Sequence, residues 1–596
     1  MTNSIGIDLG TTKSVVAVWH NGAPEIIPDA NNQRITPSVV ALDPIGGEWE
    51  VGSRAREIEL EHPEAAVSSI KRLIGRHYDD AVVRESLEKS WMLHEVTESQ
   101  KRRGALEVVI GDKHLTPQEI SAKILRKLKV QAEAWLGHEI NSAVISVPAY
   151  FHDSQRQATR DAGRIAGLEV RRVLNEPTAA CLAYGYKKLA SERRVVAVYD
   201  LGGGTFDISI LEVGRGPFRV RATNGDTFLG GDDLNWLIVK WVLEQGHRAD
   251  KERWYADRSA LAHLFAAAEQ GKRQLSSAQE TRISLPESLT SALGLDALDL
   301  SLTRTQLESI AAPWIARTFE PCRQALKDAR LQASDIDEVL LVGGQTRMQA
   351  VRKAVQDFFG IEPDTSLAPE EVVALGAAVQ AAINAGEAHG LRLLDVVSLS
   401  LGVQQLGGLM DVLVPRNTPL PFQVQKSYST TYDDQEVVEV HIYQGEKPMV
   451  RDNISLGSFM LKGIPPAPRG VPEIEVAFNV DDDGILHVSA LDKQTGVSNQ
   501  MTITDPVRLN EEEIAEMVRH AEEHEAEYAA LQKEEEERLQ IARLKEELHS
   551  MLEAAQTSIP QDTIAAVREA LALTSPEDTT SHLEKLRQLW HAVKQR

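Results

Sequence analysis

The chain has 596 residues, with 88 Asp and Glu against 64 Lys and Arg, for a net charge of −24. That length calls for several domains with sizeable cores, and the negative field repels nucleic acid and anionic lipid, so neither is expected as a partner. The only cysteines, Cys181 and Cys322, sit among apolar or small residues, which excludes a disulfide framework and fits a reducing compartment. The longest apolar stretch, near 143–151, falls far short of the about 18 residues a membrane helix needs. With the first strand entered by Ile5 there is no room for a signal peptide, and a cytoplasmic location is expected.

In chain order, Ile5, Gly6 and Ile7 run into Asp8-Leu9-Gly10-Thr11-Thr12, a strand ending on a carboxylate, a glycine and two hydroxyls. Residues 15–19 read as the returning strand of a hairpin. Lys71 falls in I-K-R-L-I-G-R, a predicted helix, where by itself it is an ordinary surface lysine. Thr116-Pro117-Gln118-Glu119 is a helix start with a hydroxyl cap, a first-turn proline and a glutamate three after the cap. Residues 143–148 read as a buried strand. The segment 168–176 leads into N-E-P-T-A-A and a small-residue helix from Ala179 to Tyr184. A second such helix covers 376–382. Small faces let helices cross closely, so the pair reads as a hinge or as plain core packing.

Residues 195–199 form an apolar, β-branched run that ends on Asp200-Leu201-Gly202-Gly203-Gly204-Thr205-Phe206-Asp207. Glycines let backbone N–H groups approach an anion. Thr205 can donate to a phosphate oxygen, and Asp200 and Asp207 can hold a hydrated cation beside it. The turn repeats the one at Asp8 about one domain's length later, which implies a duplicated core gripping one polyphosphate between its halves. The stretch 269–276, E-Q-G-K-R-Q-L-S, reads in isolation as a solvated amphipathic helix. A third strand, 339–342, runs into Gly343-Gly344-Gln345-Thr346-Arg347, whose guanidinium can stack on a base. Neither a P-loop nor a dinucleotide fingerprint occurs.

Past Gly386 the texture changes. A short polar stretch precedes Leu391-Arg392-Leu393-Leu394-Asp395, a patch that reads as buried core or as a docking linker. From 398 to 505 the pattern is β. Val438, Val440 and Ile442 alternate with Glu439, His441 and Tyr443, and Ile474, Val476, Phe478 and Val480 alternate likewise. Asp481-Asp482-Asp483-Gly484 marks a hairpin turn. Asn510 with Glu511, Glu512 and Glu513 caps a long helical tail, in which Ile514, Met517, Val518 and Ala521, then Leu544, Leu548, Met551 and Ala555, mark one face. The charged run 533–538 is a solvated face, and Pro560 and Ser575-Pro576 divide the tail into shorter helices.

Together the phosphate turns, N-E-P-T-A-A and G-G-Q-T-R resemble the seventy-kilodalton heat-shock chaperone family, in its DnaK-like form, from Ile5 to about Glu523. The resemblance implies a multidomain chain: an α/β actin-like two-lobed ATPase domain (1–386), a linker (387–397), an antiparallel β-sandwich peptide-binding domain (398–507) and an α-helical lid (508–596). It implies an ATP-dependent chaperone with slow ATP hydrolysis, taking ATP/ADP, Mg2+ and K+. Gly10, Thr11, Thr12, Gly202, Gly203, Gly204 and Thr205 would cradle phosphates, with Gly231 beside them. Asp8 and Asp200 would hold hydrated Mg2+ and, with Thr205 and Asp207, potassium. Lys71 would lie near the γ-phosphate and Glu176 would orient the attacking water. Glu269, Lys272, Arg273, Ser276, Gly343, Gly344 and Arg347 would form the adenosine pocket. An interdomain switch would involve Pro148, Arg156, Leu393, Leu394 and Asp395. Val403, Leu406, Tyr428, Thr431, Val438, Val440 and Ile474 would line a groove for extended apolar peptides, with Val438 at its centre.

Expected partners are unfolded polypeptides, a J-domain co-chaperone docking near Arg172, and a nucleotide-exchange factor. Departures from the family's wording point to a specialised paralogue. Arg392 breaks the apolar linker and should weaken its docking. Ala542 stands where the carboxylate partner of Arg469 is expected, so the lid latch is absent or rerouted. Gln405, Tyr428 and Thr431 are more polar than usual, Lys13, Ala368 and Glu370 differ, and 213–217 replaces a longer acidic segment. The chain ends at Arg596 without the family's long disordered tail. Two other classes compete: an actin-like small-molecule kinase, in which the β region has no place, and a nucleotide-gated scaffold with little hydrolysis.

Overall fold

A computed structural model describes residues 3–594, apart from 89–91, 188–192, 215, 247–250, 293–297, 389–392, 502–507, 524–540, 542–543, 546, 550–560 and 573–578. Arg392, Ala542, Met551, Ala555, Pro560, Ser575-Pro576 and the run 533–538 therefore lie outside the described residues.

Two sheets of matching design carry the first part of the chain. In the first, Ser4–Asp8 pairs antiparallel with Lys13–His20 and parallel with Ser142–Val147, which continues to Glu169–Asn175. In the second, Arg194–Leu201 pairs antiparallel with Phe206–Val213 and parallel with Glu338–Val342. Each thus opens with a hairpin whose first strand carries an aspartate at its end, Asp8 as the last residue of one and Asp200 as the last but one of the other, and each adds a parallel strand on the other side of that first strand. The apolar, β-branched runs read from the sequence form these strands, buried on both faces as parallel pairing requires.

The two small-residue helices, Glu176–Lys187 and Val372–Asn384, cross between the sheets. Their apolar cluster takes Val144 and Leu174 from the first sheet and Val196, Val198 and Val342 from the second. Close approach explains the glycines: a Cβ on Gly6 would stand 2.1 Å from the Ala378 nitrogen. The helix Pro117–Leu136 begins on Thr116 with a full capping box. Lys71 is not in an α-helix: Ile70–Arg72 is one 3-10 turn. Ser69 at φ 57° and Gly75 at φ +66° hold the left-handed region on either side, leaving no length for α-helical pairing.

The β region forms two four-stranded antiparallel sheets, ordered 410–414, 401–404, 437–444, 454–462 and 422–428, 474–480, 486–492, 498–501. The alternating residues meet in one core: Val440, Ile442, Ile474, Val476, Phe478 and Val480 are buried together. Gly484 at φ +75° closes the 481–484 turn. Asn510 and Glu513 cap each other's backbone N–H at 2.9 and 2.8 Å at the start of Glu511–Glu523. Further helices follow at Gln561–Ala572 and Thr579–Lys594. Among the described residues no helix is long and apolar enough to cross a membrane.

Candidate nucleotide site and its link to the sandwich

The two hairpin turns face each other. A Cβ on Gly203 would stand 2.5 Å from the Thr12 side chain, and one on Gly204 would stand 2.6 Å from Thr11. Between them lies a cavity of about 390 Å3, lined at one end by Asp8, Thr11, Thr12, Lys71, Glu176, Asp200, Gly202, Gly203 and Thr205. At the other end it is lined by Glu269, Lys272, Arg273, Ser276, Gly343, Gly344 and Arg347. Gly10 and Gly231 also line it. Segments scattered from residue 8 to residue 347 therefore converge on one space. Gly204 and Asp207 lie behind the wall: Gly204 packs on Thr11, and Asp207 Oδ1 accepts the Tyr150 N–H at 3.0 Å.

The end between the two turns is crowded with buried charge. Lys71 and Glu176 form a short ion pair, both almost fully buried. Asp8 accepts the Ser146 hydroxyl at 2.9 Å. Burial, then Glu176, pushes the Asp8 carboxyl up to about 7 and the Asp207 carboxyl up to about 8. Asp200 is raised too, by burial and then by Glu176, Asp207 and Asp8. Carboxylates so arranged resist ionisation until positive charge arrives. Among the described residues no three acidic, His or Cys side chains converge to chelate an ion directly.

The other end carries mixed charge. Arg347 holds Glu370 through two parallel hydrogen bonds, 2.7 and 2.6 Å, which occupy the edge of the guanidinium and leave its faces for stacking. Lys272, buried, donates to the Gly231 carbonyl at 2.9 Å. Burial opposes ionisation of Glu269, yet Lys272, Arg56 and Arg273 hold its carboxyl below the usual range. Sequence reasoning did not assign Asp232, Asn235, Gln345 or Pro369 to this wall, and treated Lys13 and Glu370 only as departures in wording. The Gly230-Gly231-Asp232-Asp233 turn was the available signal for the first two.

The chain matches the family described as Hsp70 protein over residues 4–596. It belongs to the Hsp70 family. Hsp70 proteins are ATP-dependent chaperones that bind ATP or ADP with Mg2+ and engage unfolded clients and co-chaperones. In this Hsp70 the sandwich rests on the sheets that carry the cavity. Leu393–Leu394 pairs as a short parallel strand with Phe218 and Arg219 at the edge of the second sheet. Asp395, buried, accepts the Thr178 hydroxyl at 3.1 Å, two residues from Glu176.

Arg156, buried, donates to the Asn175 side chain at 2.6 Å, to the carbonyls of Ala149 and Phe151, and to the Asp483 carbonyl at 3.3 Å across the domain junction. Pro148 is buried just before this cluster, its carbonyl accepting the Phe151 N–H at 3.2 Å. Asp483 also pairs with Arg160 and accepts the Val173 N–H at 3.2 Å. Arg416 reaches Asp328 at 2.9 Å. The helix Glu511–Glu523 lies against Asp153–Ile165, with Ile514 buried in the first sheet's core and Arg164 holding Glu511 at 2.6 Å.

The peptide-groove candidates divide by exposure. Val403, Val440 and Ile474 are buried in the sandwich core, and Val438 and Tyr428 are half-buried at its edge. Leu406 and Thr431 stand exposed on loops. Tyr428 donates its hydroxyl to Asp411 at 2.7 Å.

Proposed function

We propose that this chain binds ATP between the two hairpin turns, hydrolyses it slowly, and uses the nucleotide state to control how the sandwich grips extended apolar segments of unfolded protein. The carrying observation is the convergence of both turns, Lys71 and Glu176 on one cavity whose wall continues, through Thr178 and Asp395, into the docked linker strand. Thr11, Thr12, Gly203 and Thr205 offer backbone N–H groups and hydroxyls to phosphate oxygens, and Gly202, whose N–H bonds the Thr205 carbonyl, shapes the turn. Lys71 neutralises charge that develops on the transferred phosphoryl group, and Glu176, oriented by Lys71, positions the attacking water. Mg2+ held near Asp8 and Asp200 would supply further charge neutralisation, and the same carboxylates with Thr205 suit K+, with Asp207 adding negative charge from behind the wall. Arg347 and Lys272 hold the adenosine end.

The division at 1–386, 387–397, 398–507 and 508–596 follows from this reading. One feature of the surface supports the sandwich as the client site. Among the described residues, the large hydrophobics left exposed are Leu406, Leu409, Val412, Tyr432, Val437, Met460, Val471 and Val497 in the sandwich, and Ile45 elsewhere. The bias of exposed apolar side chains toward the sandwich fits a client site there. A J-domain protein docking near Arg172 and an exchange factor complete the cycle, in a specialised rather than general chaperone of the cytoplasm.

The test is release of a labelled apolar peptide from the full chain loaded with ATP or ADP, with and without J-domain proteins. Faster release with ATP is expected; the same rate with either nucleotide overturns the reading.

A further inference from the structure

Among the described residues, the cationic side chains in the cavity wall are Lys13, Lys71, Lys272, Arg273 and Arg347. All but one have partners. Lys71 pairs with Glu176, Arg347 with Glu370 and Arg273 with Glu269, while Lys272 donates to the Gly231 carbonyl. Among the described residues, none pairs with the Lys13 ammonium or accepts a hydrogen bond from it. Nor does Lys13 stand out in solvent: it is half-buried. Burial and then Arg273 lower its pKa, Glu370 and Glu269 oppose them, and Arg347 adds to the fall. A cation held there without a counter-ion is a place for an anion.

The position of Lys13 says which anion. It belongs to the first half of the cavity, built on the first sheet, and opens the strand Lys13–His20 directly after Thr12 of the first turn. Its main chain is fixed there, in register with Pro37 and so close under the turn that a Cβ on Gly10 would stand 2.1 Å from the Lys13 carbonyl oxygen. The charges that act most on its ammonium lie the other way. Glu269 and Arg273 are on the helix Arg258–Gln274, Arg347 follows the strand Glu338–Val342, and Glu370 precedes the helix Val372–Asn384. These are the charges of the end away from Lys71. The lysine stem therefore runs from the phosphate turn toward the adenosine end, across the middle of the cavity. We infer that Lys13 binds the phosphate bonded directly to the ribose. The inference rests on the nucleotide reading above and adds a residue to that site. Lys71, Arg273 and Arg347 are each already committed to a carboxylate, so Lys13 is the cation left to meet this phosphate. A charge-assisted bond formed in a half-buried wall is stronger than the same bond in water. Lys13 also departs from the family's usual wording, so the contact sets this chain apart within its family.

The test uses the full-length chain and isothermal titration calorimetry with adenosine, AMP and ADP, the weaker ligands being measured by displacement of ADP. Lys13→Met keeps most of the stem and removes the charge. It should weaken AMP and ADP about tenfold or more, and adenosine by less than about twofold. Lys13→Arg restores a cation and should bind AMP and ADP within about threefold of native. In single-turnover hydrolysis, the half-saturating ATP concentration of Lys13→Met should rise about tenfold. The loss should fall there and not on the saturated rate, because the first phosphate carries the same charge before and during transfer of the third. Should Lys13→Met not fold, Lys13→Gln carries the same expectations. Native affinity of these variants for AMP and ADP overturns the inference. Adenosine weakened as much as AMP overturns it too, by placing Lys13 on the sugar or the base. A saturated rate that falls about a hundredfold moves Lys13 to the reacting phosphate and overturns it likewise. A native chain that binds no ADP overturns the nucleotide reading, and the role of Lys13 with it.

Discussion

Gly376 lies so close over Ala179 that a Cβ on it would stand 1.7 Å from the Ala179 carbonyl oxygen. The contact joins the two helices on which both sheets pack, and the obstacle is backbone, which cannot rotate aside. Gly376→Ala therefore sets a gain in helix propensity of about 1 kcal/mol against overpacking of about 1–3 kcal/mol or more. A net loss is expected, read as a fall of several degrees in the first thermal transition. An unchanged or raised midpoint would show that the helices can slide apart freely at this point.

Lys71 sits between the phosphate turns with Glu176 as its buried partner. Lys71→Ala removes the lysine that pairs with Glu176 in the cavity wall and leaves the hydroxyls and glycines of the two turns. Single-turnover ATP hydrolysis should fall at least about a hundredfold, with ATP still bound. Equal rates in the two proteins would favour a nucleotide-gated scaffold over an ATPase.

Asp153 ties the first half to the sandwich and to the segment before the helix Glu511–Glu523. Its carboxylate accepts the Leu486 N–H at 2.7 Å and pairs with Arg508, and its own N–H donates to the Gln444 side chain at 3.0 Å. Burial pushes the Arg508 guanidinium down to about 10, and its ion partner in this buried place is Asp153. Asp153→Ala should weaken docking by about 3 kcal/mol. Amide exchange at Leu486 should then accelerate about a hundredfold. Exchange at the native rate would mean the contact is incidental to docking.

What was legible in the sequence was local. Asp8-Leu9-Gly10-Thr11 and Asp200–Asp207 announce themselves because a phosphate turn needs its carboxylate, glycines and hydroxyl within a few consecutive residues. The sandwich was legible through strict alternation, as at Ile474, Val476, Phe478 and Val480. Bonds such as Arg72–Asp233 and Arg156–Asp483 were not, since their partners lie 161 and 327 residues apart and each side chain alone looks like surface charge. The helix expected around Lys71 failed for a related reason. Its composition suits a helix, but the pull of Asp232 on Ser69 and the tight seat of Gly75 against Gln155 fix left-handed residues that no local rule foresees.

Asp161 supplies a pH dependence with a definite sign. It is buried on the helix Asp153–Ile165, bonded to Gln157 at 2.8 Å, with Arg160, Arg164 and Glu511 around it. Burial pushes its carboxyl up to about 6, from an ordinary 3.8. A raised folded-state value means the protonated form suits the folded protein. The stability it contributes is complete below about 3.8 and is lost as pH rises through about 6. Asp161→Asn keeps the oxygen that Gln157 bonds and removes the charge. It should raise the melting midpoint at pH 8, by an amount equivalent to about 1–3 kcal/mol, and leave it nearly unchanged at pH 4. A variant equally or less stable at pH 8 would mean that the neighbouring arginines already neutralise the carboxylate.

Val438 gives the most direct trial of the sandwich as a client site. It is half-buried at the edge of the core, paired in register with Leu461 and on the same face as Val440, while the exposed Val437 and Met460 lie on the opposite face of the sheet. Bulk added there cannot turn inward, because Phe459, Leu461 and Val440 already fill the core beneath. A larger ring must project to the surface, where a peptide side chain would otherwise settle. Val438→Phe should weaken binding of a labelled apolar peptide at least about tenfold, since displacing a buried aliphatic side chain forfeits about 1.5–3 kcal/mol. The thermal midpoint of the sandwich should stay near native, as the substitution leaves its core intact. Undiminished peptide affinity would place the groove away from Val438 and return this edge to ordinary surface.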